Sequence, residues 1–359
     1  MNDPFGVYVH VPFCAARCDY CAFATWDDRG QLIDAYMAAL ATEVRRAVNE
    51  GRLVQASSVF FGGGTPSLVP AIQLTATLAL IPLAPGAEVT VECNPDTVED
   101  DLLAAYRQGG VTRISMGVQS LDPAVLAGLG RTHTPANVAP AVRAVERAGF
   151  GTFNLDLIYG VAGESLASWQ TTLRGLLDLG PPHVSAYALT VEPGTPLAAQ
   201  TDRHPDPDLQ ADMYLAAVEA FGVAGLDCYE ISNFARPGHE CRHNLLYWSQ
   251  GDYLGFGAAA HSHLQGRRWW NLRTPERYIQ AVTAGLPTEA AGEDLDGPTR
   301  ATERLTLALR TRQGVPPDAL SDLPLLLGEG LVRLESASGR AVLTPRGRML
   351  ANEVALRLR

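Results

Sequence analysis

Short runs of β-branched and aromatic residues alternate along the chain with longer segments whose apolar residues return every three or four positions. The first pattern predicts strands and the second amphipathic helices. Strands are expected at Gly6–Val11, Ser57–Phe61, Glu88–Cys93, Arg113–Gly117, Thr152–Leu157 and His183–Leu189. Each is followed by helical spacing, at Gln31–Asn49, Ile72–Ile81, Val98–Gln108, Pro123–Gly128 with Ala136–Ala148, Ser165–Leu179 and Asp208–Val223. Six βα units in succession imply an α/β fold with a parallel sheet and right-handed crossovers. Helices of this length fit a partial (βα)6 barrel, whose chemistry sits at the C-terminal ends of its strands. No tandem repeat of fixed short period is present.

The alternation stops near Leu226. Aromatics, Gly and His thicken between Tyr229 and Asn271, and the Pro/Gly/Glu stretch Pro287–Pro298 reads as a linker. Thr299–Arg359 carries two or three helical segments and a hairpin, Leu331–Leu334 with Ala341–Leu343, turning at Ser338-Gly339. A small winged-helix-like domain is expected there, which divides the chain into 1–286 and 287–359.

The chain has 359 residues, 47% hydrophobic and 19% charged, enough to fill a large core. No apolar run approaches the roughly 18 residues of a membrane helix. Pro4, His10 and Pro12 interrupt the N-terminal apolar stretch, which lacks a basic lead. A signal peptide is therefore not expected, and a cytoplasmic location is. Net charge is −11, which speaks against a general nucleic-acid binder.

Of six cysteines, Cys14, Cys18 and Cys21 crowd into eight residues. In a cytosolic chain such crowding favours a metal or cluster over disulfides. The C-x3-C-x2-C spacing can hold three corners of a [4Fe–4S] cluster and leave the fourth iron open to S-adenosylmethionine (SAM). The competing reading is zinc, which normally takes four ligands, and no second Cys pair supplies the fourth. Cys93, Cys228 and Cys241 stand alone and are expected to be buried small hydrophobes.

Other polar residues fall at predicted strand ends. The cysteines follow the first strand and Gly62-Gly63-Gly64-Thr65-Pro66 the second. Glu92 and Asn94 end the third, Gln119 the fourth and Asp156 the fifth. Singly each has an ordinary reading: a tight turn, or a solvated charge. Arg131 is equally ambiguous by itself. Together at a barrel mouth they favour a polar ligand, with glycines letting the backbone approach it.

These residues carry a resemblance. The cysteine spacing, the GGGTP run, Glu92-Cys93-Asn94-Pro95, Gly117-Val118-Gln119-Ser120 and Asp156-Leu157-Ile158-Tyr159-Gly160 together resemble the radical-SAM superfamily, in its HemN/HemW branch. The likeness runs from about Tyr8 to the C-terminus. It implies a [4Fe–4S] cluster on Cys14, Cys18 and Cys21. It implies SAM contacts at Gly63, Gly64, Thr65, Glu92, Gln119, Arg131 and Asp156, with Tyr8 and Tyr20 beside them.

The coproporphyrinogen oxidases of the branch carry a fourth cysteine two positions after the third, and an N-terminal arm. Here Phe23 takes that cysteine position and Tyr8 lies seven residues from the start. His243-Asn244-Leu245-Leu246-Tyr247-Trp248 is similar instead to the haem-binding H-N-x-x-Y-W motif of the branch's haem chaperones. Gly251-Asp252-Tyr253-Leu254-Gly255 and Ala260-His261 continue that likeness. Imidazole is a common axial ligand of haem iron, and aromatic rings can flank a macrocycle. His243 is therefore expected to contact haem iron, against the ordinary alternative of a hydrogen-bonded histidine. His261 and His263 are weaker candidates and Cys241 an accessory thiolate. His10 is expected to pack.

The resemblance thus implies a haem chaperone that uses a [4Fe–4S] cluster and SAM, and delivers haem to apo-haemoproteins. Its partners would be haem and those recipients, met in part at the membrane periphery, and not nucleic acid. The alternative is an enzyme, the oxygen-independent oxidation of coproporphyrinogen III. A degenerate fold serving as a structural partner is the third reading, and the intact cluster and SAM residues count against it.

Overall fold

The structure is a computed structural model and describes residues 4–359. Strands β1 (Phe5–Val11), β2 (Ala56–Gly63), β3 (Leu83–Cys93), β4 (Arg113–Gln119), β5 (Phe153–Tyr159) and β6 (His183–Ala188) pair in parallel and in chain order. The connecting helices are α1 (Ile33–Asn49), α2 (Ala71–Leu78), α3 (Asp100–Gln108), α4 (Pro123–Gly128), α5 (Pro135–Arg147) and α6 (Leu166–Leu177). After β6 comes α7 (Pro207–Val223). The six βα units form the partial barrel that the alternation predicts.

Strand periodicity decides which side chains enter the barrel. On β1, Val7, Val9 and Val11 are fully buried and point outward against α1, which offers Tyr36, Leu40 and Val44. Each such valine contributes about 1.5–3 kcal/mol. The intervening Gly6, Tyr8 and His10 point inward. The same alternation puts Ser58 and Phe60, Glu88 and Glu92, Arg113 and Ser115, Asn154 and Asp156, and His183 and Ser185 on the inner face. The outer face carries Val59, Val89, Val91, Ile114, Leu155 and Val184. The interior is therefore polar and the exterior apolar.

Both sheet edges are extended. β7 (Asp227–Glu230) and β8 (Asn233–Ala235) continue antiparallel from β6. After α8 (Arg242–Trp248), β9 (Asp252–Phe256) returns parallel to β1 on its free side. β10 (His261–Leu264), β11 (Arg267–Asn271) and β12 (Glu289–Asp294) then follow antiparallel, with α9 (Pro275–Thr283) between the last two.

Two boundaries depart from the sequence expectation. β3 begins at Leu83 rather than Glu88, with a register shift between Ala56 and Ser58 of its neighbour. The stretch Pro287–Pro298, expected as a linker, contains β12. Every residue of β12 is exposed, so it has no apolar alternation to read. It is held by backbone pairing to β11 and by ion pairs from Arg267 to Glu289 (2.6 Å) and Arg268 to Glu293 (2.9 Å).

The C-terminal segment consists of α10 (Gly297–Leu309), α11 (Leu323–Gly328), the hairpin β13 (Val332–Leu334) and β14 (Ala341–Leu343), α12 (Pro345–Met349) and α13 (Ala351–Ala355). Gly339, at φ +68°, takes the left-handed position of the hairpin turn. Leu309, Val315, Leu326, Val332, Leu343 and Val354 form a core of their own. Among the described residues no helix is long and apolar enough to cross a membrane.

Candidate functional site

The barrel encloses a cavity of about 1270 Å³, larger than the usual single-ligand pocket. It runs from a floor at the N-terminal strand ends to a mouth at the C-terminal ends, and opens sideways along β9–β11.

The cysteine loop lies at the mouth. It leaves β1 and is pinned at its base, where Phe13 bridges Trp26 and the Cys14 amide donates to the Trp26 carbonyl at 3.0 Å. Phe13 also accepts the Thr65 amide at 2.7 Å, joining the loop to the glycine run. A Cβ on Gly64 would stand 2.5 Å from the Phe13 oxygen, so only glycine allows this approach. Gly63 sits at φ +112° with its missing Cβ over the His10 ring. His10 donates Nε2–H to the Ala24 carbonyl (2.9 Å), which leaves Nδ1 to accept from the Tyr8 hydroxyl (3.0 Å). It is a buried pin between β1 and the loop.

Cys14, Cys18 and Cys21 are each partly exposed and none is in a disulfide. Arg131 reaches in from beyond α4, with Nη1 donating to Cys18 Sγ at 3.8 Å and Nη2 to the Gly117 carbonyl at 3.0 Å. On the other flank Asp19 pairs with Arg203 at 2.9 Å. Burial pushes the Cys14 thiol up to about 11, so a thiolate there calls for a cationic partner. Among the described residues no three His, Cys, Asp or Glu side chains converge on one metal ion. A cubane does not need such convergence, because each of its cysteines binds a different iron.

Of the residues expected around SAM, Tyr8, Gly63, Glu92 and Asp156 line the cavity. Glu92 Oε2 accepts the Gly63 amide at 3.1 Å. Desolvation and the neighbouring Asp156 push its carboxyl up to about 8. Asp156 does not end its strand. It lies in the middle of β5, where it accepts from Ser115 (3.2 Å) and Asn154 (2.7 Å), and burial raises its carboxyl too. Gln119 adopts φ +63° at a bulge of β4, and its Oε1 is buried without a partner. The Nε of Arg131 is likewise unpartnered. Gly64, Thr65, Gln119 and Arg131 flank the cysteines rather than the cavity. Tyr20 packs on the apolar patch of Val125, Leu129 and Leu197.

These features fit a cluster with SAM. Three thiols share one loop with Cys18 against a guanidinium, a glycine ledge has no side chain to block a ligand, and polar atoms lack partners that buried groups normally have. Cys14, Cys18 and Cys21 would hold such a cluster, which could supply an electron to a ligand held beside it.

The floor differs from expectation. α8 crosses beneath β1–β3, and Glu88 Oε1 accepts its first amides, Arg242 (2.9 Å) and His243 (3.2 Å). Gly6 leaves the room that Leu246 occupies. His243 is fully buried, between the Ser58 hydroxyl at Nδ1 (2.9 Å) and the Tyr247 hydroxyl at Nε2 (2.8 Å), and stacks on Phe60. Burial lowers its imidazole to about 3. Expected to contact haem iron, it sits at the barrel floor with both ring nitrogens engaged. Cys241, expected as an accessory thiolate, is buried and donates to Glu88 at 3.5 Å. Burial pushes it up to about 12, so it is a thiol.

The side wall holds groups that the sequence reading passed over or ranked lower. His261 is exposed on the cavity, its ring stacked on Trp270 at 5.6 Å and 28°. His263 is buried and donates to the Gly251 carbonyl at 3.0 Å. Arg273 and Arg277 also line this wall. The arginine-aromatic run from Arg267 to Arg277 was the signal available for them. Arg113 and His183, which build the polar floor, gave none, since burial inside a barrel is a tertiary fact.

The family model of the radical SAM superfamily matches residues 8–176. The heme chaperone HemW of Mycobacterium tuberculosis H37Rv is 40% identical over 98% of this chain and 94% of its own. The heme chaperone HemW of Escherichia coli K12 is 38% identical over 77% of this chain and 76% of its own. Among solved structures, the coproporphyrinogen III oxidase HemN of Escherichia coli superposes with a TM-score of 0.82 at 24% identity, covering 98% of this chain and 89% of that one.

Proposed function

This chain belongs to the HemW family of the radical SAM superfamily, and on that premise we infer that it is a haem chaperone, which binds haem and passes it to apo-haemoproteins. The observation that carries this reading is one continuous cavity. It joins a SAM-type mouth to a side wall with an open imidazole, and its volume exceeds the usual range for one ligand. Cys14, Cys18 and Cys21 would hold the cluster. Gly63, Gly64, Thr65, Glu92, Gln119, Arg131 and Asp156 would hold SAM, with Tyr8 and Tyr20 close by.

Each residue has a task of its own. Gly63 and Gly64 expose backbone to the ligand. Glu92 takes up positive charge or a ribose hydroxyl. Arg131 orients Cys18 while offering Nε. The Glu88 carboxylate and His243 close the floor, so ligands enter from the mouth or side. The net charge of −11 supports partners other than nucleic acid. Work in the cytoplasm, with recipients met at the membrane periphery, belongs to the same reading.

The alternative, oxidation of coproporphyrinogen III, has the fold likeness to HemN in its favour, and Phe23 at the fourth-cysteine position against it. Anaerobic incubation of the reconstituted protein with haem and, separately, with coproporphyrinogen III decides between them. A Soret band without decarboxylated product is expected. Catalytic formation of protoporphyrinogen would make the alternative correct.

A further inference from the structure

We propose that haem lies against the β10–β11 wall of the cavity, its iron facing His261 and its two propionates held by Arg273 and Arg277. The placement rests on the haem-binding reading and says where and by which groups haem is held.

Four histidines line the cavity: His10, His183, His243 and His261. The first three are buried, with both ring nitrogens hydrogen-bonded. His261 is exposed and, among the described residues, its ring makes no hydrogen bond. Stacking on Trp270 fixes the plane of the imidazole while leaving its nitrogens open. Burial and nearby Arg268 lower its protonation, so it presents a neutral donor near neutral pH, as a metal ligand must.

The charges on the same wall are complementary to a dicarboxylate. Glu276 is engaged by Arg29 at 2.5 Å and Glu289 by Arg267 at 2.6 Å. Arg273 and Arg277 are both exposed and have no carboxylate partner among the described residues. They flank the N-terminus of the nine-residue α9, whose dipole adds positive potential. Guanidinium groups are the side chains best matched to carboxylates. Trp270 is the cross-strand partner of His261. Arg273 stands three residues further on, two past the end of β11, a reach of at most roughly 10 Å along the chain. That is the scale from a porphyrin centre to its propionates. Phe23, Leu272 and Ala290 supply apolar surface for the macrocycle along the way.

The test is a Soret titration of the cluster-loaded protein with hemin and with hemin dimethyl ester, whose propionates carry no charge. Parent, His261→Ala and Arg273→Ala/Arg277→Ala proteins are compared; all three positions are exposed, so the variants should fold. The parent should bind both ligands. His261→Ala should shift the Soret maximum and weaken both at least tenfold. The double arginine variant should weaken hemin at least tenfold and leave the ester unchanged. Parent-like spectra and affinities in these variants would overturn the placement while leaving haem binding intact. Failure of the parent itself to bind hemin would overturn the functional reading as well.

Discussion

The Nε2 atom of His243 lies 2.8 Å from the Tyr247 hydroxyl, one helical turn along α8. With Ser58 on Nδ1, the imidazole is a structural bolt between the barrel floor and the helix that closes it. His243→Ala leaves the buried Ser58 hydroxyl and the half-buried Tyr247 hydroxyl unpaired and opens a void. The expected cost is about 2–4 kcal/mol of folding stability, read as a lower denaturant midpoint. Cluster loading and the Soret maximum should persist in the folded fraction. Undiminished stability with haem binding abolished would return His243 to the role its motif suggested.

Glu92 links pH to stability. Its carboxyl titrates near 8 in the fold, against an ordinary value of 4.5. The folded protein therefore binds more protons than the unfolded chain between those values. The stability contributed by this group is fully present below about 4.5 and lost as pH rises through about 8. Glu92→Gln removes that dependence. The cluster-loaded variant should melt a few degrees above the parent at pH 8.5, about 2–4 °C, and match it near pH 5. Calorimetry should show SAM affinity reduced at least tenfold. A variant that melts like the parent at pH 8.5 and binds SAM as tightly would remove Glu92 from the site.

Anaerobic reconstitution of Cys14→Ala/Cys18→Ala/Cys21→Ala should leave iron and sulfide at background. Cys93→Ala, Cys228→Ala and Cys241→Ala should each load one cluster. Parental iron content in the triple variant would place the cluster elsewhere.

Gly64→Ala tests the ledge. Its Cβ would meet the Phe13 carbonyl at 2.5 Å, a backbone atom that cannot swing aside. The loop must shift, and both cluster yield and SAM affinity should fall. Normal yield and affinity together would mean that the contact between glycine run and cysteine loop is not needed.

The barrel was legible in the sequence because its outer strand positions are mostly apolar and its helices amphipathic. Val7, Val9 and Val11 beside Tyr36 and Leu40 show both periods. β12 was not legible, since Glu289–Asp294 exposes every side chain and is held by backbone pairing and surface ion pairs, neither of which leaves an apolar alternation. Motif spacing located the cysteines, the glycine run and Glu92 on the correct strand ends. It missed that Asp156 sits in mid-strand, because strand length is set by pairing to β6. It could not tell His243 from His261. Both lie within the aromatic- and His-rich stretch Tyr229–Asn271, and only packing makes one a floor bolt and leaves the other open on the wall.

The most direct test of the whole reading is transfer. Haem-loaded, cluster-bearing protein is mixed anaerobically with an apo-haem enzyme in the presence of a free-haem scavenger, and recovered enzyme activity is followed. A chaperone should restore activity under conditions where the same amount of free haem, captured by the scavenger, restores none. Recovery no greater than with free haem would contradict the claim that this protein hands haem on.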